Sequence, residues 1–393
     1  MQQELPTLNV IIAGHIDHGK TTLLYKLSRK WTDTHSEELK RGITIKLGYA
    51  DITISKDTEY NIDNKGLPVR YVSFIDSPGH EMLMATMLSG AAIVDAAILV
   101  VAANEGIKPQ TREHLMALQA KNIKDIIIVQ NKIDLVTKEK ALESYHNIRK
   151  EFKNTIAENS PVIPVSAQQS INLERIYEAL CEIKTPERNE KDTPLFFTAR
   201  SFDINKPGTK PQNLHGTVLG GTLKTGTLKI GDLIEIKPGL AIKEANQIKY
   251  KTIRTKIASL FKGSHKVQEL TPGGSASIET ELDMALGKRD AFSGCIVSQD
   301  KMLPEITTKL KIKYNLFKEF PGALAQIQPL KMSETLMLSI NTSVTVGIIT
   351  KLTQSEAEFS LKIPIVPFKN SKIGIARSIN NHWRLIGYGE IKE

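Results

Sequence analysis

The sequence predicts an α/β domain with a mostly parallel sheet, followed by two all-β barrel domains. Short runs rich in Val and Ile alternate with helix-like stretches over residues 7–190, and such repeated β-α units build doubly wound parallel sheets. Beyond a charged linker, helical periodicity nearly disappears, and short strands punctuated by glycine turns continue towards the C-terminus. Regular short strands of this kind form barrels or sandwiches.

The strands and helices of the first domain follow from its apolar pattern. Several apolar runs lack polar alternation, as expected of strands that are buried on both faces. Helices are predicted over Lys108–Lys121 and Leu173–Ile183. The predicted strands are Leu8–Ala13, Tyr71–Ile75, Ala96–Ala103, Ile126–Gln130 and Val162–Val165.

Two breaks in this pattern divide the chain into domains 1–190, 191–302 and 303–393. Pro186 and Pro194 enclose five charged residues, which indicates a linker. The second break lies near Pro304, between two stretches that both read as β structure. The α/β domain therefore comes first, and each barrel has about a hundred residues.

The composition indicates a folded protein of a reducing compartment. Apolar residues make up 40% of the 393 residues, enough for packed cores. The two cysteines, Cys181 and Cys295, are far apart and form no disulfide or metal pattern. The N-terminus lacks the basic start and apolar core of a signal peptide, and no apolar run approaches the ~20 residues of a membrane helix. We therefore expect a cytoplasmic protein without a membrane partner.

Positive charge is concentrated in the second half of the chain. Residues 1–190 contain 23 Lys and Arg against 25 Asp and Glu, and the remainder contains 29 against 18. The densest segment, Lys243–Lys266, has seven basic residues, one acid and two interleaved aromatic residues. Such density suits phosphate binding. A solvated barrel face, or a surface for an acidic protein partner, explains it equally well.

A phosphate-binding loop is the strongest motif. Residues 14–21 read GHIDHGKT and match G-x-x-x-x-G-K-[ST], between a predicted strand and a predicted helix. Backbone N–H groups and the helix N-terminus would hold the phosphates, Lys20 would neutralise the β- and γ-phosphates, and the Thr21 hydroxyl would ligate Mg²⁺. The residues that we assign to the phosphates are Asp17, His18, Gly19, Lys20, Thr21 and Thr22.

A guanine site is predicted after the next strands of the sheet. Residues 131–134 follow a strand, where α/β sheets bind their ligands. The Asp134 carboxylate can accept from both the N1–H and the 2-amino group of guanine, a donor pair that adenine lacks. Together with the phosphate loop, this order favours GTP over ATP. The predicted base-binding residues are Asn131, Lys132, Ile133 and Asp134, followed one strand later by Ser166, Ala167 and Gln168.

Two loops have the residues of a γ-phosphate switch. Asp76 ends a strand and can hold Mg²⁺ through water, while the Gly79 N–H can sense the γ-phosphate. The Thr44 hydroxyl would meet Mg²⁺ only while that phosphate is present. His80 directly follows Gly79 and is the candidate catalytic residue, because an imidazole there can orient the attacking water.

These motifs together resemble the translational GTPases. Within that class, two longer stretches are similar to the gamma subunit of archaeal and eukaryotic translation initiation factor two, and the likeness extends over essentially the whole chain. The stretches are Ser36–Asp51 and Gly79–Ala92, with further likeness at Asn205–Pro211, Asp290–Gly294 and Trp383–Gly389.

The resemblance implies a GTPase domain, two β-barrels and a heterotrimer with alpha and beta subunits. It implies GTP-dependent delivery of methionyl initiator tRNA to the small ribosomal subunit, with slow GTP hydrolysis on start-codon recognition. It also implies a second Mg²⁺ at Asp17 and Gly42, beside the first at Thr21 and Thr44. The family likeness further suggests an apolar gate at Ile16 and Ile43, and contact of Tyr49 with the terminal adenosine of the tRNA.

The chain departs from the family where a zinc knuckle is usual. Ile52–Arg70 contains neither cysteine nor histidine, so we expect no zinc and a polar, mobile loop over Asp57–Gly66.

Three other functions compete with the initiation-factor interpretation. A tRNA-delivering elongation factor, including the selenocysteine-specific type, shares the motifs but not the two longer stretches. A P-loop metabolic enzyme with a GTPase subunit would need a catalytic partner. A subunit that binds GTP without turnover is disfavoured by His80.

Overall fold

The computed structural model describes residues 5–32, 46–78, 83–244, 247–319 and 326–392. The chain divides into two compact units. The first comprises Met1–Pro186, Leu316–Gln328 and Arg377–Gly387. The second comprises Glu187–Asn315, Pro329–Ala376 and Tyr388–Glu393.

The first unit contains a seven-stranded, mostly parallel sheet, as the sequence predicts. Its strand order is β3-β2-β4-β1-β5-β6-β7, in which β1 and β4–β7 are parallel, β2 is antiparallel to β4, and β3 is antiparallel to β2. Strands β1 and β5 are buried at every residue, which explains their lack of polar alternation. The strands are β1 (Thr7–Gly14), β2 (Gly48–Lys56), β3 (Tyr60–Asn61), β4 (Leu67–Asp76), β5 (Ala96–Ala102), β6 (Asp125–Asn131) and β7 (Val162–Pro164).

Five described α-helices accompany this sheet. Helix α1 begins immediately after a glycine in the left-handed conformation, and Thr137 caps α4 by accepting from the Lys140 N–H. The two helices predicted from periodicity, α3 and α5, form within two residues of the predicted bounds. The helices are α1 (Lys20–Ser28), α2 (Met84–Ala91), α3 (Pro109–Ala120), α4 (Lys138–Glu151) and α5 (Leu173–Glu182).

The sheet register brings the functional loops to one edge. In the ladders beside β1, Ile12 lies opposite Asp76 and Gly14 opposite Val100. In the next ladder, Ala102 lies opposite Asn131. The phosphate loop, Asp76 and Asn131 therefore lie at the carboxyl ends of the parallel strands β1, β4 and β6, where α/β sheets bind their ligands.

The loop that stands in place of the zinc knuckle has a defined turn centred on Asn61. The Asn61 Oδ1 accepts from the N–H groups of Asp63 and Lys65 at 3.0 and 3.3 Å, and its Nδ2 donates to the Glu59 and Lys65 carbonyls. Tyr60 packs against the core of the sheet. The absence of cysteine and histidine from Ile52–Arg70 means that the residues present do not suit zinc.

Two closed six-stranded antiparallel barrels follow, which confirms the predicted fold class. The first closes in the order β11-β16-β8-β9-β15-β12 through the β11–β12 pairing, and the second in the order β17-β20-β19-β18-β21-β22. The first is built from β8 (Leu195–Phe202), β9 (Val218–Thr225), β11 (Leu233–Glu244), β12 (Gln247–Lys262), β15 (Ala276–Thr280) and β16 (Ile296–Gln299), with short strands β10 (Leu228–Lys229), β13 (His265–Val267) and β14 (Glu269–Leu270). The second is built from β17 (Thr307–Leu316), β18 (Thr335–Ile340), β19 (Ser343–Leu352), β20 (Glu356–Ile365), β21 (Lys372–Ile379) and β22 (His382–Ile391).

A buried lysine fixes the segment between the barrels. The Lys237 ammonium donates to the carbonyls of Leu303 and Pro304 at 3.1 and 3.3 Å and lies 3.6 Å from a carboxylate oxygen of Glu235. Glu235 also accepts the Leu303 N–H at 2.7 Å. Both charged side chains are almost completely buried, so each depends on the other and on these bonds.

In the part of the chain that the structure describes, no helix is both long and apolar enough to span a bilayer.

Candidate nucleotide site

The phosphate loop is shaped by two glycines with positive φ. Gly14 has φ 141° and lies so close to β5 that a Cβ there would sit 2.4 Å from the Val100 carbonyl oxygen. Gly19 adopts the left-handed conformation immediately before α1, where a Cβ would meet the Asn131 side chain at 2.4 Å. Both positions therefore require glycine. Lys20 starts the helix, and its ammonium donates to the His15 carbonyl at 2.8 Å.

Two side chains of α3 accept hydrogen bonds from the backbone of the phosphate loop, a feature that the sequence did not predict. The Gly14 N–H donates to His114 Nδ1 at 2.8 Å, and the Ile16 N–H donates to Gln110 Oε1 at 3.2 Å. Burial and the nearby Lys20 ammonium lower the pKa of His114 to about 3, so the ring is a neutral acceptor. The four-residue spacing of Gln110 and His114 was the only available signal, and it is common on helices.

His18 contributes to the loop through its backbone. Its side chain is fully buried and its Nδ1 lies 3.3 Å from the Val100 carbonyl oxygen. Burial lowers its pKa to about 4, so the ring is neutral near pH 7. The imidazole therefore packs in the protein interior, and only the backbone N–H and carbonyl of His18 belong to the surface of the phosphate loop.

The Asn131 amide joins the phosphate loop to the two base loops. Its Nδ2 donates to the His18 carbonyl at 2.9 Å, and its Oδ1 accepts from the Ala167 N–H at 3.0 Å. The side chain is almost fully buried. Sequence reasoning placed Asn131 at the base edge, and the structure shows that the same amide connects three loops far apart in the chain.

The other residues predicted to bind the base lie in the same two loops that Asn131 connects. Lys132 has φ 62°, and its ammonium lies 3.4 Å from a carboxylate oxygen of Glu105. Asp134 lies on a short 3-10 helix, Ile133–Leu135, with its side chain exposed to solvent. In the second base loop, Ser166 and Ala167 are buried, whereas Gln168 is exposed. The described residues predicted to bind the base therefore lie at one edge of the sheet, and their contact with guanine stays a prediction.

Oxygen donors suited to Mg²⁺ lie beside the first turn of α1. The Thr21 hydroxyl donates to Asp76 Oδ2 at 2.9 Å, and the Asp76 side chain is fully buried at the end of β4. Hydroxyl and carboxylate oxygens are the ligands that this hard cation prefers. Asp17 has φ 61° on the loop itself. Gly42, Ile43, Thr44, Gly79 and His80 lie outside the described residues.

Comparison with known proteins decides the family. The model for the elongation factor Tu GTP binding domain matches residues 5–186, and that for the C-terminal part of initiation factor eIF2 gamma matches residues 308–391. The chain is 48% identical to translation initiation factor 2 subunit gamma of Methanococcus maripaludis (strain C7), covering 98% of both chains. The protein of that name from Archaeoglobus fulgidus is 47% identical, with 99% of this chain and 95% of the relative covered. This chain belongs to the gamma-subunit family of translation initiation factor 2.

Two solved structures of elongation factors have a similar fold. A bacterial selenocysteine-specific elongation factor has a TM-score of 0.78 at 24% identity over 98% of this chain, which spans 58% of that structure's length. The translation elongation factor SelB of Methanococcus maripaludis, with a GTP analogue, has a TM-score of 0.76 at 22% identity, covering 100% and 80%. These likenesses show the shared fold. Identity near 48% identifies this gamma-subunit homologue as a GTP-hydrolysing translational GTPase of initiation, with GTP and GDP as its nucleotides.

The basic segment of this gamma-family chain lies on a long β-hairpin. Strands β11 and β12 pair to the tip, where Glu244 lies opposite Gln247. Two of its charges are paired: Lys249 contacts Glu244 at 3.0 Å within the hairpin, and Arg254 contacts Asp300, just after β16, at 2.6 Å. Lys243, Lys251 and Lys256 are exposed. Phosphate binding by this hairpin stays a prediction.

Proposed function

We propose that this chain binds methionyl initiator tRNA in its GTP state and delivers it to the small ribosomal subunit. In this proposal it is the core subunit of a heterotrimer with alpha and beta subunits, it works in the cytoplasm, and it hydrolyses GTP when the start codon is recognised. Identity near 48% over nearly the whole chain to named gamma subunits supports the initiation step. The observation that carries the nucleotide part is the Asn131 amide, which joins the phosphate loop and the base loop.

We assign nucleotide roles to the residues at this edge of the sheet. The N–H groups of residues 17–22 and the start of α1 hold the phosphates, Lys20 offsets their charge, and Asp134 accepts from guanine. Residues 166–168 present N–H groups to the guanine carbonyl. His80, after the Gly79 N–H that senses the γ-phosphate, orients the attacking water.

Mg²⁺ fits the donors beside α1. We propose that Thr21 and Thr44 ligate one ion, that Asp76 holds it through water, and that Asp17 and Gly42 hold a second. When bound, Mg²⁺ supplies positive charge against the β- and γ-phosphates. The 2.9 Å bond between the Thr21 hydroxyl and Asp76 supports the first assignment, since this hydroxyl keeps lone pairs for a cation while it donates its proton.

Two further assignments complete the proposal. The domain bounds 1–190, 191–302 and 303–393 are supported by β8 beginning at Leu195 and β17 at Thr307. Tyr49 lies half-buried near the start of β2 and is assigned to the terminal adenosine of the tRNA.

The test is a tRNA-binding comparison with two variables. The purified protein, with and without an alpha subunit, is titrated with methionyl initiator tRNA and methionyl elongator tRNA in GTP and in GDP. We expect tight binding only for initiator tRNA in GTP. Equal affinity in both nucleotides contradicts the switch, and equal affinity for both tRNAs contradicts the initiation role.

A further inference from the structure

A second threonine reaches the carboxylate assigned to the magnesium site. Thr32 follows α1, and its hydroxyl donates to Asp76 Oδ2 at 3.0 Å, beside the 2.9 Å bond from the Thr21 hydroxyl. One oxygen of a fully buried carboxylate therefore accepts from a hydroxyl in the first turn of α1 and from a second hydroxyl in the segment that follows α1. Hydrogen bonds to a charged acceptor are among the stronger ones in proteins.

A glycine makes this contact possible. Gly48 begins β2 and lies directly opposite Asp76 in the β2–β4 ladder. Thr32 lies over it so closely that a Cβ at residue 48 would be 2.6 Å from the Thr32 Cβ, too short for two carbon atoms. Gly48 does not have a positive φ, so space for Thr32 is the reason for glycine here.

We propose that Thr32 is a positioning residue of the magnesium site, which orients the Asp76 carboxylate for the hydrated ion. Two hydroxyl donors on one carboxylate oxygen restrain its orientation more than the Thr21 bond does by itself. Thr32 also links the segment that follows α1 to Asp76. The inference rests on the proposed function of the site.

The test measures Mg²⁺ dependence of GDP retention in the full chain. A fluorescent GDP analogue is bound, and its release is followed as Mg²⁺ is lowered with EDTA. Thr32→Val replaces the hydroxyl with a methyl group of similar size, and we expect about a tenfold higher Mg²⁺ requirement. Thr32→Ser keeps the hydroxyl and should resemble the unsubstituted protein. The GDP affinity in excess EDTA should be the same for all three.

Gly48→Ala tests the same contact without changing Thr32. The new methyl group must displace Thr32 from Asp76, so this variant should reproduce the Thr32→Val shift. The double variant Gly48→Ala with Thr32→Val should show nearly the same Mg²⁺ requirement as Thr32→Val, because the contact is already lost. Thr53→Val, a matched substitution farther along β2, should leave the Mg²⁺ requirement unchanged.

The outcomes separate this inference from the proposed function. A Thr32→Val protein with the normal Mg²⁺ requirement overturns the role of Thr32, as does an equal shift in Thr32→Ser. Weaker GDP binding in EDTA also overturns it, because it reveals general damage to the site. If the unsubstituted protein binds no GDP at any Mg²⁺ concentration, the proposed function itself fails.

Discussion

The bridge made by Asn131 gives a quantitative prediction for nucleotide affinity. Asn131→Ala removes both hydrogen bonds of a side chain that is 2% exposed, and leaves the His18 carbonyl and the Ala167 N–H without this partner. Each unsatisfied buried group costs about 1–3 kcal/mol. Allowing for water in the space, we expect a total loss of about 2–4 kcal/mol, or on the order of thirtyfold to a thousandfold in affinity.

The physical reason predicts which measurements change together. If the amide holds the phosphate loop against the base loop before the nucleotide binds, then without it part of the binding free energy is spent on ordering both loops. The affinities for GTP and for GDP should then fall by the same factor. The nucleotide-free protein should also unfold at a lower urea concentration. Asn131→Asp keeps the acceptor for Ala167 but sets a carboxylate oxygen against the His18 carbonyl, so it should weaken binding as well.

The assay is stopped-flow binding of fluorescent GTP and GDP analogues, with urea unfolding of the free protein. Asn147→Ala, on an exposed face of α4, is the control and should stay within about 0.5 kcal/mol. The Asn131 bridge does not hold the loops if the Asn131→Ala protein binds both nucleotides within threefold of normal, or if its affinity falls for GTP and not for GDP.

Four further results are expected. Lys237→Met should lower the free energy of unfolding in urea by about 3–5 kcal/mol, because Glu235 stays buried without its cation. Acid should destabilise the protein through His18: burial lowers its folded pKa from 6.5 to about 4, so the unfolded ring takes up the proton first. Through His18 alone, the free energy of unfolding in urea should fall by about 1.4 kcal/mol per pH unit from about pH 6.5 down to 4. His18→Gln should reduce the slope by that amount and leave the part due to His114, whose pKa is also lowered. Asp134→Asn should shift binding from guanine towards xanthine nucleotides; unchanged GDP affinity would contradict the base site. His80→Ala should slow single-turnover GTP hydrolysis with nearly normal GTP affinity, and a normal rate would remove His80 from catalysis.

Local features of this protein were predictable from its sequence because they depend on neighbours in the chain. The phosphate loop needs glycine at Gly14 and Gly19 for backbone conformation, so its spacing is visible in the sequence. Strands buried on both faces appear as continuous apolar runs, and the five predicted parallel strands all form. The antiparallel strand β2 was missed, since its mixed pattern gives no such signal.

The site's internal framework was decided by tertiary structure. Asn131 and His18 are 113 residues apart, and Gly14 and His114 are 100 apart, so no local pattern relates them. Thr32 and Asp76 meet only because β2 and β4 align Gly48 with the carboxylate. The sequence by itself therefore determined the nucleotide chemistry, the order of the domains and the lack of zinc ligands in Ile52–Arg70. Which side chains hold the loops in place depended on sheet register, because register sets which distant residues face each other.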